Sequence, residues 1–146
     1  VQLTRGSWLW KLEAISLNGN YEKYQRATGG FEYTFYGLAG SAADLGLVTE
    51  YLYDSRGELA TTPFEDDFML GLRLTLNDEQ STDALLGVIK DTHDDSYLIS
   101  LEANRRIGDS WKLSIQASKF LVDGLDQSLK SFAEDDLLQI ELGYYF

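Results

Sequence analysis

The stretch FMLGLRLTL, Phe68 to Leu76, decides the fold. Phe68, Leu70, Leu72, Leu74 and Leu76 alternate with Met69, Gly71, Arg73 and Thr75. Wound as a helix at about 100° per residue, the first set would scatter around the cylinder, whereas an extended strand puts all of it on one face. The segment is a strand with one apolar side and one mixed side.

The same alternation recurs in WLWKLEAISL (8–17), GGFEYTFYG (29–37), DLGLVTEYLYD (44–54), ALLGVIK (84–90), SYLISLEANRR (96–106), SWKLSIQASKF (110–120) and LLQIELGYYF (137–146). Eight strands are therefore expected, joined by turn-rich segments of alternating length. AGSAAD (39–44), NDEQSTD (77–83) and IGDS (107–110) are short; YDSRGELATTPFEDD (53–67) and VDGLDQSLKSFAEDD (122–136) are long and acidic. NGNYEKYQ (18–25) and DTHDD (91–95) are connections of moderate length, and Leu125, Leu129 and Phe132 have the spacing of a short helix inside the last long loop. Hairpin following hairpin, in a single domain spanning 1–146, is the pattern of an all-β antiparallel up-and-down barrel or a sandwich.

Composition narrows the class. Asp and Glu number 24 against 12 Lys and Arg, a net charge of −12. Nucleic acid needs clustered cations and is excluded as a partner. No cysteine is present, so disulfides and thiolate metal sites are excluded too. No run approaches the 18 or so apolar residues of a spanning helix, but a membrane β-barrel escapes that test because its lipid-facing residues alternate with polar ones. Val1 is not followed by a charged and then apolar leader, so the chain reads as a mature product or a piece of a longer one.

Alternation alone does not say which face is inside; the aromatic residues do. With the long loops at the top, Trp8, Trp10, Tyr33, Phe35, Trp111, Tyr144 and Phe146 fall near the bottom of the apolar faces, and Tyr51, Tyr53, Phe68 and Tyr97 near the top. Aliphatic residues such as Leu12, Leu47, Leu72, Val88, Ile99 and Ile115 fill the waist, with Phe31 as the exception. Two aromatic girdles around an aliphatic waist match the two interfaces and the hydrocarbon of a bilayer. The opposite faces carry Lys11, Glu13, Arg26, Glu32, Glu50, Arg73, Glu102, Arg106, Lys112 and Glu141, balanced in sign. In a narrow lumen such charges must be paired or wetted, and Lys11 with Glu141 is the pair that barrel closure suggests.

Leu138, Ile140, Leu142, Tyr144 and Phe146 form an every-second-residue apolar series ending on a C-terminal phenylalanine. The series resembles the terminal strand signal of Gram-negative outer-membrane β-barrel proteins. That resemblance covers about the last ten residues and implies assembly by the barrel-assembly machinery into the bacterial outer membrane. It also implies partners in the lipid bilayer and lipopolysaccharide, short periplasmic turns and long surface loops. Val1 to Thr4 reads as a clipped strand before a turn at Arg5 to Ser7, so the expected barrel of eight strands has an alternative: the C-terminal portion of a larger porin-like channel. Eight strands close around side chains, whereas about sixteen leave an aqueous channel.

Chemistry is sparse. His93, the one histidine, stands beside Asp91, Asp94 and Asp95 and could serve as a base, yet a solvated acidic loop is the plainer reading and no catalytic residue is expected. Glu65-Asp66-Asp67, Asp94-Asp95 and Glu134-Asp135-Asp136 lack the spacing of a calcium loop; neither metal nor cofactor is expected. Gly6-Ser7-Trp8 resembles the first-strand motif of lipocalins, which keeps a soluble carrier as a further alternative. The leading expectation is a non-enzymatic outer-membrane barrel, monomeric or part of a larger one, with a structural or surface role and a lumen filled by side chains.

Overall fold

The structure, a computed structural model, describes residues 1–19, 22–62, 64–93, 95–122 and 136–146. Within them nine strands form one sheet: β1 (Gln2–Arg5), β2 (Trp8–Asn18), β3 (Lys23–Phe35), β4 (Asp44–Asp54), β5 (Asp66–Thr75), β6 (Asp83–Asp91), β7 (Tyr97–Ile107), β8 (Trp111–Leu121) and β9 (Leu137–Tyr144). Each strand pairs antiparallel with its neighbour in sequence. No ladder joins β1 to β9 among the described residues. The expected closed barrel of eight strands is therefore corrected to an open up-and-down sheet of nine, the clipped segment at the start being a strand in its own right.

The second correction concerns β3, which begins at Lys23 rather than Gly29. Its opening residues, KYQRAT, put Gln25 and Ala27 where an apolar series would be needed, so period two leaves no mark there. Pairing across the hairpin holds them instead, Leu17 opposite Tyr24 and Ala14 opposite Ala27. The candidate helix at Leu125, Leu129 and Phe132 lies outside the described residues, as do Pro63, Asp94 and Glu134-Asp135. Gly6 and Gly108 stand in the left-handed region (φ 58° and 60°) in the tight turns before β2 and β8, a conformation open to glycine at little cost.

Register carries one face through the entire sheet. Trp8, Tyr33, Leu47, Leu72, Leu86, Leu101, Ala117 and Leu138 lie successively opposite one another from β2 to β9. One step along, the row reads Leu9, Glu32, Val48, Gly71, Gly87, Ser100, Ser118 and Leu137 on the other face. The apolar face is the open one: Leu72 is 43% exposed and Ile140 65%. Burial belongs to the polar face, where Val48 is 2% exposed and Glu32, Asp54, Asp67 and Asp91 are buried with it. A sheet that curls crowds the side chains on its inner surface, and the crowded surface here is the polar one.

Glycines relieve that crowding. A Cβ at Gly30, on the polar face, would stand 2.1 Å from the Thr49 carbonyl oxygen and 2.7 Å from the Glu50 Cα, atoms that cannot step aside. A Cβ at Gly29, on the apolar face, would meet the flexible end of Leu12 at 3.3 Å. Gly30→Ala should therefore cost about 3 kcal/mol of stability or prevent folding, and Gly29→Ala should fall within about 1 kcal/mol of the parent. Denaturant midpoints of the two variants check the contrast.

Candidate functional site

The polar face is where ionisable groups converge, and two ion pairs on it share a construction. Lys11 on β2 and Glu50 on β4 are separated by β3, and the residue between them in the same row is Gly30. With no side chain in the way, Lys11 Nζ reaches Glu50 Oε1 at 3.0 Å. Arg73 on β5 reaches Glu32 on β3 at 3.1 Å, over Gly46, which lies opposite Arg73 on β4. A Cβ at Gly46 would stand 2.9 Å from Glu32 Oε1 and 3.4 Å from Arg73 Cβ. In both cases a glycine on the middle strand lets charges two strands apart meet.

The remaining expected lumen charges are placed on the same face but not all are brought together. Glu102 accepts a hydrogen bond from Gln116 Nε2 at 3.4 Å. Arg26 lies opposite Asp54, Glu13 opposite Thr28 and Glu141 opposite Ser114. Arg106 and Lys112 face each other directly. Lys11 does not pair with Glu141, because β2 and β9 belong to opposite flanks of an open sheet and Glu50 holds the lysine; that expectation is corrected.

On the apolar face aromatic residues cluster toward both ends of the strands. Trp8 stacks on Trp10 at 5.5 Å and meets Tyr33 edge-on at 4.7 Å, and Tyr33 meets Phe35 at 4.7 Å. Phe31, the mid-strand exception, packs against Trp8 and Trp10 at 5.3 and 5.2 Å, extending this cluster upward. Trp111, Tyr144 and Phe146 form a second cluster. At the other end Tyr51, Phe68 and Tyr97 share one row, with Lys90 interposed. Lys90 folds its ammonium over the Tyr97 ring at 4.5 Å and toward Asp95 at 3.0 Å, so a cation on this face is carried out to polar company. Tyr53 lies one step beyond, opposite Asp66. Leu138, Ile140, Leu142 and Tyr144 of the terminal series are all exposed along β9.

The long-loop end of the sheet holds a cluster that sequence reading passed over. Asp54 receives Arg56 through two nitrogens, at 2.9 and 2.6 Å, and the guanidinium lies 4.0 Å over the Tyr24 ring. Asp67 and Asp91 stand directly opposite across β5 and β6, 1% and 3% exposed. The Tyr51 hydroxyl donates to Asp66. His93, largely exposed, lies 3.6 Å from Asp66 and 3.9 Å from Asp91. The signal available in the sequence was the acid run itself, which does not reveal that Asp67 turns inward while Asp66 turns out. Among the described residues no group of three or more metal-ligating side chains converges.

No family model, curated protein or solved structure matches this chain.

Two outcomes follow from this geometry. Replacing Arg73 with Met leaves the buried Glu32 carboxylate without its cation; because Arg73 itself is half in solvent, the expected loss is about 1 kcal/mol, and a double-mutant cycle with Glu32→Gln should return a comparable coupling. In the turn between β5 and β6, the backbone N–H of Thr82, then its hydroxyl, then Arg105 hold the Asp78 carboxyl below the ordinary carboxylate range. A depressed folded-state value stabilises above the unfolded value and fades as pH falls through the folded one. The stability gap between the parent and Asp78→Asn should be present at neutral pH and close as the pH falls below the ordinary carboxylate range in pH-dependent melting curves.

Proposed function

We propose that this chain is an integral β-barrel protein of the bacterial outer membrane with a structural or surface role, its apolar face turned to lipid and its polar face lining the interior. One observation carries the reading: large apolar side chains from every long strand lie exposed on one continuous face, while the side chains withdrawn from solvent on the other are mainly acids. Water-soluble monomers rarely expose apolar patches beyond a few hundred Å². Acyl chains remove the cost, and the aromatic rows at both ends of the face sit where headgroups would be. The terminal series Leu138 to Phe146 supports delivery by the barrel-assembly machinery. A soluble carrier with an apolar interior is not favoured by the same observation.

Such a protein cannot keep open edges, since each unpaired backbone group in hydrocarbon costs several kcal/mol. If β1 gave up the edge of β2, β2 to β9 would supply the eight strands of a small closed barrel. A second reading, the C-terminal portion of a larger porin-like channel, is favoured by β1, which already occupies the edge of β2 from Trp8 to Lys11. Bilayer conductance separates the two: discrete large steps fit the channel, silence fits the filled barrel.

Leu72→Arg tests the membrane reading that both share. On a lipid-facing position at mid-strand the substitution should destabilise protein folded in vesicles by about 2–4 kcal/mol; on a face open to water it would be neutral and improve solubility. Brominated acyl chains should quench Trp8, Trp10 and Trp111 in the same preparation. Neutral behaviour of Leu72→Arg, together with a detergent-free monomer, would remove the proposal.

A further inference from the structure

We propose that the polar face holds an anion site between β7 and β8, built on Arg106 and Lys112, that takes a phosphate group. The two cations lie directly opposite each other in the β7–β8 ladder, and like charges so placed destabilise a sheet. Acids outnumber bases 24 to 12 in this chain, yet among the described residues neither Arg106 nor Lys112 makes an ion pair, whereas Lys11 and Arg73 on the same face do. Arg106 donates to the Asp109 carbonyl oxygen at 3.4 Å. An uncompensated cation pair is what this composition makes least expected.

The local construction repeats that of the two ion pairs, with the acid missing. Lys112 lies opposite Gly143 on β9, as Lys11 lies opposite Gly30. Beyond Gly30 stands Glu50; beyond Gly143 no strand follows among the described residues. Tyr145 covers Gly143, within 3.4–3.7 Å of where a Cβ would be, and on the β7 side of Lys112 a cavity of about 430 Å³ is lined by Arg106, Lys112, Asn104, Ser110 and Tyr145 among others. Asp83 and Asp109 also line it. Asp83 is engaged by the Asn104 amide at 3.3 Å, and the neighbouring Arg105 is taken by Asp78 at 3.2 Å. A guanidinium presents a donor fork that matches an oxyanion, and an ammonium adds a point charge. A phosphate between them turns one repulsion into two attractions, supplying the negative charge that Glu50 supplies for Lys11. The volume suits a small phosphate ester or a single lipid headgroup rather than a polymer.

This site does not depend on the membrane reading. The test titrates inorganic phosphate into the folded 146-residue chain at constant ionic strength, followed by phosphorus NMR and by Trp111 fluorescence, beside Arg106→Gln/Lys112→Gln and a control, Lys23→Gln. Saturable binding that the double variant weakens by about tenfold or more, equivalent to about 1.4 kcal/mol, and that Lys23→Gln leaves unchanged, is the expected result. In phosphate-free buffer the double variant should also melt higher than the parent, because the repulsion is gone. A parallel arm with phosphatidylglycerol against phosphatidylcholine micelles assigns the source: displacement by free phosphate marks a soluble ligand, and retention on the anionic micelle alone marks a headgroup. No saturable binding in either arm, or binding that the double variant leaves intact, overturns the site.

Discussion

Everything in this molecule follows from strands whose side chains alternate with period two being laid in a register that never slips by one. A single-residue shift in any ladder would carry that strand's leucines to the polar face and its charges to the apolar one. The rows Trp8 to Leu138 and Leu9 to Leu137 run through seven consecutive ladders without such a shift. What fixes register in an ordinary sandwich is a dry core on one side. Here the buried side is polar, so register is pinned by groups that tolerate no displacement: Gly30 beneath the Thr49 carbonyl, Gly46 beneath the Arg73–Glu32 pair, and, at the loop end, the Arg56 guanidinium over the Tyr24 ring of β3.

The glycines explain how a charged surface can be an inner surface. Burying an ion costs several kcal/mol unless a partner is in reach, and adjacent strands alone do not provide one, because Lys11 faces a glycine and so does Arg73. Deleting the intervening side chain gives each cation an acid two strands away. It also removes volume where curvature needs it. One residue type thus serves both packing and electrostatics, and its effect vanishes at β9, where among the described residues no further strand stands beyond Gly143.

Much of this is legible in the sequence alone. Alternation located β2 and β4 to β9 within one or two residues at most boundaries, since each has a mainly apolar series at alternate positions, and it put ten of the charged residues of the polar face on one side. It failed where that series fails: the first turns of β3 have Gln25 and Ala27 on the outer face and are held by partners rather than by their own pattern. Sheet closure was illegible for a different reason. Strand number can be counted from period, but which edges meet depends on long-range pairing, and the short β1 on the edge of β2 alters that arithmetic. The glycine-spanned ion pairs were also missed, although their residues were in view, because Lys11 and Glu50 are joined by a third position whose meaning lies in having no side chain.

The edges carry the last step. Soluble sheets guard an exposed edge with lysines, proline, bulges or very short strands. β1 is short, and its four residues fit that rule. β9 does not: it is eight residues long, holds no lysine or proline, and is exposed along almost its full length. Glu141 is its only charge, and it points to the polar face. An edge so unguarded in water would recruit any strand it met, so its form is understandable where a partner strand is certain to arrive. On the membrane proposal a barrel seam would meet that condition, because hydrocarbon would offer the N–H and C=O groups of Leu138, Ile140 and Leu142, on the side of β9 that no strand covers among the described residues, no alternative but another strand.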